Sequence, residues 1–156
     1  FAIALSTFVS QNLGAGKHDR AKTGARFGIL TSILLAEGIG VIIFCSAPFL
    51  ISLFNQDSGV IAYGVRQAHI ETLFYFVLAF SHCIAGICRG AGKAVVPMLV
   101  MLGVWCVFRI FYISVAMHFS HNITLVFWAY PLTWSISSAI FLIYYKKSDW
   151  VHGFDY

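Results

Sequence analysis

Apolar residues run almost unbroken through four stretches of the chain, Gly24 to Leu53, Val60 to Cys88, Val95 to Met117 and Ile123 to Tyr145, with short polar breaks between them. At about 1.5 Å of rise per residue, each is long enough to cross the roughly 30 Å of hydrocarbon in a bilayer. The pattern predicts four transmembrane helices within residues 24–147. Another apolar stretch, Phe1 to Val9, is too short, because a span needs about 20 helical residues. Residues 1–13 therefore read as the C-terminal end of a transmembrane helix whose beginning precedes Phe1. Residues 14–23 are expected to form a basic loop and residues 148–156 a tail. The second long segment carries Arg66, His69 and Glu71 early, so its lipid-level part is expected from about Ile70. Pro48 and Pro131 each remove a backbone hydrogen bond inside a segment and predict kinks.

Composition makes lipid the solvent. Of 156 residues, 60% are hydrophobic and 10% charged, where soluble domains carry roughly 25% charged residues. So few charges cannot cover so apolar a core, which excludes a soluble globular domain and makes membrane lipid the first expected partner. The net charge of +4 is small and dispersed, which argues against a nucleic-acid partner. Cys45, Cys83, Cys88 and Cys106 show no paired spacing and read as small apolar residues, not as a disulfide or metal framework. His118 and His121 are too few ligands for a zinc site, so no metal and no organic cofactor are expected. No nucleophile–base pair is recognisable, and no enzymatic activity is expected.

Charge placement sets an orientation, because Lys and Arg collect in cytoplasmic connections. Lys17, Arg20, Lys22 and Arg26 precede the first long segment, Arg89 and Lys93 follow the second, and Lys146 and Lys147 follow the fourth. The alternate connections hold no Lys or Arg. Eight of the ten basic residues thus fall on one side, expected to be the cytoplasm together with the C-terminus.

Two stretches echo each other: Leu13-Gly14-Ala15-Gly16-Lys17 and Arg89-Gly90-Ala91-Gly92-Lys93. Each closes an apolar segment. Glycine there allows a positive φ at the helix C-terminus, and the cation that follows suits the negative end of the helix dipole. A phosphate-binding loop is excluded by the next residue, since Lys17 precedes His18 and Lys93 precedes Ala94 where Ser or Thr is required.

The run Phe8-Val9-Ser10-Gln11-Asn12-Leu13-Gly14-Ala15-Gly16-Lys17 with Arg20-Ala21, followed by Arg89-Gly90-Ala91-Gly92, Pro97-Met98 and Arg109-Ile110, resembles the multidrug and toxic compound extrusion (MATE) transporters. Gln11, Gly14, Gly16, Arg20, Arg89, Gly90 and Gly92 carry the likeness. It covers nearly the whole chain and implies an all-α polytopic membrane protein. The chain would be the C-terminal lobe of a twelve-helix transporter, comprising the end of helix eight and helices nine to twelve. It further implies an antiporter of the plasma (inner) membrane in which proton or sodium entry drives export of organic cations, drugs or other amphipathic small molecules. The missing N-terminal half would be a required partner. In the family the basic connections and the C-terminus are cytoplasmic, in agreement with the charge count. A lipid-linked sugar flippase of the same superfamily, or a non-transporting membrane protein, is the alternative.

An ionisable side chain in hydrocarbon is a functional candidate by default. Glu37 and Arg109 lie near the middle of their segments, and His82 about two turns inside its own. Glu37 and Arg109 are expected to form an ion pair at similar depth. Glu37 then either cycles a proton during transport or serves as a static pairing that fixes helix packing. The family's coupling carboxylates on its first, seventh or tenth helix have no match here, because the tenth-helix equivalent holds only Glu71 at its rim. No cation-site residue of the family is therefore carried over onto this sequence, and whether the essential acid lies in the missing half is left open. Tyr75 and Phe76 are the substrate-cavity candidates; helical spacing puts Phe76 with Phe80 on one face and Tyr75 elsewhere.

Overall fold

The computed structural model describes residues 1–120 and 122–151, and among these the regular structure is entirely helical. In chain order the elements are α1 (Ala2–Gly14), α2 (His18–Ser52), α3 (Ser58–Thr72), α4 (Tyr75–Gly90), α5 (Val95–Met101), a π-helical stretch (Leu102–Phe108), α6 (Arg109–Phe119) and α7 (Ile123–Lys147). The α5, π and α6 stretches form one rod, Val95–Phe119. Three helices are long and apolar enough to cross a membrane: α2, this rod and α7. A fourth crossing results if α3 and α4 form one span.

Two expected boundaries change. Helix α2 begins at His18, so the basic loop expected over residues 14–23 shrinks to Ala15–Lys17 and Arg20, Lys22 and Arg26 lie on helical turns. Lys and Arg are good helix formers, and Asp19 in the first turn suits the positive end of the dipole. The segment expected as one helix from Val60 to Cys88 is instead two helices meeting at 55° across Leu73 and Phe74. Asp57 caps the first half, its carboxylate accepting from Gly59 N at 2.7 Å and Val60 N at 3.1 Å.

The GAGK echo is a matched pair of helix stops. In the first, Lys17 N donates to Asn12 O at 2.8 Å and Gly16 N to Leu13 O at 3.0 Å, with Gly16 at φ +68°. In the second, Lys93 N donates to Cys88 O at 2.9 Å and Gly92 N to Arg89 O at 3.1 Å, with Gly92 at φ +74°. Both are Schellman motifs, which need the left-handed backbone that glycine adopts without steric cost.

Helix α4 is the hub, and α1, α2 and α7 pack around it. Its Cys83, Ile84, Ala85, Ile87 and Cys88 are buried against Leu5, Val9 and Leu13 of α1, Ala21 and Ala25 of α2, and Phe141 of α7. Gly86 and Gly90 let α1 approach so closely that a Cβ at either would overlap the backbone carbonyl of Ala2 or Ser6. Small residues spaced by four are the usual means of such contact in lipid, where burying apolar area gives little gain. The outward faces are apolar instead: Phe27, Leu30 and Ile42 on α2 and Val107, Ile110 and Phe111 on the rod are more than half exposed. Cys83 and Cys88 fill the core as expected, whereas Cys45 and Cys106 are exposed.

Candidate functional site

Three of the sequence candidates converge on one aromatic box. The Arg109 guanidinium lies 4.5 Å from the Tyr130 ring centroid and 5.8 Å from that of Trp105. Its Nη2 donates to Thr133 Oγ1 at 2.7 Å. Tyr130 meets Trp134 at 6.2 Å, Trp134 meets Tyr75 at 6.3 Å, and Trp105 meets the His82 ring edge-on at 5.4 Å. Tyr75 and His82 then share one wall of a cavity of about 290 Å³ with Ala36 and Ile39 of α2. Helical spacing explains that wall, because positions 75, 78, 79 and 82 fall on one face of α4.

The π-helical stretch feeds this box. Trp105 lies in it and Arg109 opens α6 directly after it. Such stretches are uncommon and frequent at functional sites, since an inserted residue rotates the following side chains. Behind the box, Trp105 Nε1 donates to Ser137 Oγ at 3.1 Å, and Ser81 Oγ is hydrogen-bonded to both Ser137 Oγ (3.1 Å) and Ser138 Oγ (2.7 Å). These hydroxyls join α4, the rod and α7 through polar contacts that lipid cannot compete for. Arg109 Nε is buried without a hydrogen-bond partner.

Glu37 does not pair with Arg109, which corrects the expected ion pair. Its Oε2 accepts the backbone N–H of Phe76 at 3.2 Å, at the N-terminus of α4 beside the α3–α4 break. A carboxylate suits that position because the first amides of a helix lack intrahelical partners and carry the positive end of the dipole. Gly40, one turn along α2, permits the approach; a Cβ there would stand 2.9 Å from the Thr72 carbonyl oxygen. Glu37, Gly40, Phe44 and Thr72 line a small cavity of about 110 Å³. The charge that sequence reading assigned to another side chain is thus met by backbone.

Phe76 leaves the box. It lies on the opposite side of α4 with Phe80, in an apolar groove also lined by Ile33 and Leu142. Tyr75 and Phe76 therefore face different surroundings, as their spacing required. Of the motif positions, Gln11 and Arg89 lend backbone carbonyls to the helix stops, accepting from Ala15 N and Gly92 N at 3.1 Å each, while Arg20 lies on the first turns of α2. His118 meets the neighbouring Phe119 ring edge-on at 5.4 Å, and His121 lies outside the described residues.

Sequence reading passed over Trp105, Tyr130, Thr133 and Trp134 as site residues, and it passed over His69. The ring of His69 stacks on Phe44 at 4.1 Å, and its Nε2 donates to Phe44 O at 3.1 Å. That carbonyl is the one left without an amide partner by Pro48 four residues later. The signal was present in the chain: a proline inside a membrane helix implies an orphaned carbonyl, and a polar residue on the next helix is a ready donor.

Comparison with known proteins returns one consistent group. The profile of the MatE family matches residues 1–115. The chain is 30% identical over 105 residues to a probable multidrug resistance protein NorM of Thermotoga maritima, covering 67% of this chain and 23% of that protein. It is 27% identical over 99 residues to multidrug and toxin extrusion protein 1 of Danio rerio, covering 64% and 17% respectively. It is 25% identical over 149 residues to a probable multidrug resistance protein YoeA of Bacillus subtilis, covering 92% and 31%. The chain thus spans less than a third of the length of each of these relatives.

Proposed function

This chain belongs to the MATE family of extrusion transporters, and from that premise we propose that it works as the C-terminal lobe of an ion-coupled antiporter exporting amphipathic organic compounds. The relatives named for multidrug resistance and toxin extrusion support drug-like substrates. The coupling ion is a proton or sodium. The protein sits in the plasma membrane with its basic end and C-terminus in the cytoplasm, and it needs the N-terminal half of the fold to enclose a substrate path.

The observation that carries the reading is the Glu37 carboxylate on the backbone amide of a broken membrane helix. Interrupted helices of this kind hold ions and substrates in many transporters, because their exposed ends supply polar backbone at membrane depth. A proton or sodium ion arriving at Glu37 competes with the Phe76 N–H for the carboxylate, and this links ion binding to the α3–α4 bend. Tyr75 and Trp134 offer the aromatic surface for a cationic or planar substrate. Arg109 holds Tyr130, which packs on Trp134, and His82 lies beside Tyr75 on the same cavity wall and meets Trp105.

The test is transport by the protein expressed from its complete coding sequence in proteoliposomes, with a proton or sodium gradient and a fluorescent organic cation as cargo. Gradient-driven export is expected, and Glu37→Gln is expected to reduce it by at least about tenfold, the scale of one charge-assisted hydrogen bond. Unchanged coupled export by Glu37→Gln would remove Glu37 from coupling. No export under either gradient would overturn the antiporter reading itself.

A further inference from the structure

At the basic end of the bundle, Lys22 and Arg26 of α2 and Lys146 of α7 surround a pocket of about 290 Å³ whose remaining walls are Tyr145 and Trp150. Trp150 is buried and stacks on Tyr145 at 5.4 Å, and Arg26 faces the Tyr145 hydroxyl. Lys93 Nζ holds the chain here by donating to Asp149 O at 2.8 Å. Three cations therefore converge where α7 ends.

Further along the same two helices lies the groove that contains Phe76, a cavity of about 320 Å³. Its floor is α4 (Phe76, Val77, Phe80), and its walls are Ile33 of α2 and Leu142 of α7. Ile33 is seven residues from Arg26 and Leu142 four from Lys146, so the groove starts about 6–10 Å deeper along the same two helices. The one polar side chain in it, Ser138, turns inward and donates to Val77 O at 3.0 Å. What remains is hydrocarbon surface opening sideways.

We propose that these two cavities, successive along α2 and α7, together bind one anionic phospholipid, with the phosphate among Lys22, Arg26 and Lys146 and an acyl chain along the α2–α4–α7 groove. Charge complementarity selects the headgroup, since basic pockets between membrane helices attract anionic lipid phosphates. The aligned groove selects a lipid over a free phosphate. The Tyr145–Trp150 stack suits the headgroup boundary, where aromatic rings with a polar edge settle.

The test is native mass spectrometry of the complete protein, delipidated in detergent and titrated with phosphatidylglycerol, phosphatidylcholine or glycerol 3-phosphate. One phosphatidylglycerol is expected to be retained, with phosphatidylcholine and glycerol 3-phosphate far weaker. Each interfacial cation contributes on the order of fivefold, so Lys22→Gln/Arg26→Gln/Lys146→Gln should weaken retention about a hundredfold. Ala139→Trp, which fills the groove, should lose the lipid too. The charge-preserving Lys22→Arg/Arg26→Lys/Lys146→Arg should keep it, and so should the off-site Lys17→Gln/Arg89→Gln, which guards against misfolding and general charge loss. Equal retention of phosphatidylcholine, equal binding of glycerol 3-phosphate, or the same loss in the off-site variant would each overturn the proposal.

Discussion

Gly14 and Gly90 occupy the same position of the same motif, yet alanine should act on them in opposite directions. At Gly90 the new methyl would overlap the Ser6 carbonyl oxygen, a backbone atom that cannot rotate away. To restore van der Waals contact, α1 and α4 must separate by on the order of 1 Å, which forfeits a quarter to a half of the dispersion energy of each contact across the seam. The seam includes Leu5, Val9, Ile84 and Ile87, all buried. Overpacking of this kind costs about 1–3 kcal/mol. The gain in helix propensity from glycine to alanine, at most about 1 kcal/mol, offsets only part of it. At Gly14 a Cβ meets nothing within 4 Å, so only the propensity gain remains. The shared propensity gain cancels between them, so the two variants should differ by about 1–3 kcal/mol in stability, Gly90→Ala below wild type and Gly14→Ala at or slightly above it. Thermal unfolding of the purified protein in detergent, followed by tryptophan fluorescence, reads the difference. Equal midpoints for the two variants, or a Gly90→Ala midpoint at wild type, would refute the close α1–α4 contact.

Three further outcomes rest on local geometry. Gly16→Ala and Gly92→Ala should each destabilise by about 1–2 kcal/mol, because a Cβ is strained at φ +68° and +74°, and their near-additivity in the double variant can be checked by the same melting experiment. His69→Phe should retain the stacking on Phe44 but leave its carbonyl unpaired, at a cost of about 1–3 kcal/mol; a melting temperature unchanged from wild type would remove the compensating role for His69. Thr133→Val keeps the side-chain shape and removes the acceptor of Arg109 Nη2, leaving two guanidinium nitrogens short of partners. It should destabilise more than Ser135→Ala, whose hydroxyl bonds only the carbonyl of its own preceding turn, and melting of the two variants compares them.

How much was legible follows from which interactions are local. The apolar runs and the glycine stops depend on residues within a few positions of one another, so the helical runs and their C-caps could be read directly, whereas the break at Leu73 and Phe74 inside the second run could not. The stops at Gly16 and Gly92 are an instance: the motif names both the positive-φ residue and the hydrogen bonds that close it. Starts were harder, because lysine and arginine serve equally in a basic loop and in the first turns of a helix, and α2 took Arg20 and Lys22 into itself.

The sequence by itself determined that the chain is helical, lipid-embedded and related to the extrusion transporters, because hydrophobic length and motif spacing are one-dimensional quantities. Tertiary structure alone decided what the intramembrane charges do. Equal depth made Glu37 and Arg109 look like partners, but depth says nothing about rotation around a helix axis. The break at Leu73 and Phe74 offered Glu37 a backbone amide, and the π-helical stretch turned Arg109 toward Tyr130 and Thr133. In a medium without water each buried polar group takes the donor or acceptor within reach. Reach is set by how the helices cross, and that crossing depends on residues as distant as Ala2 and Gly86.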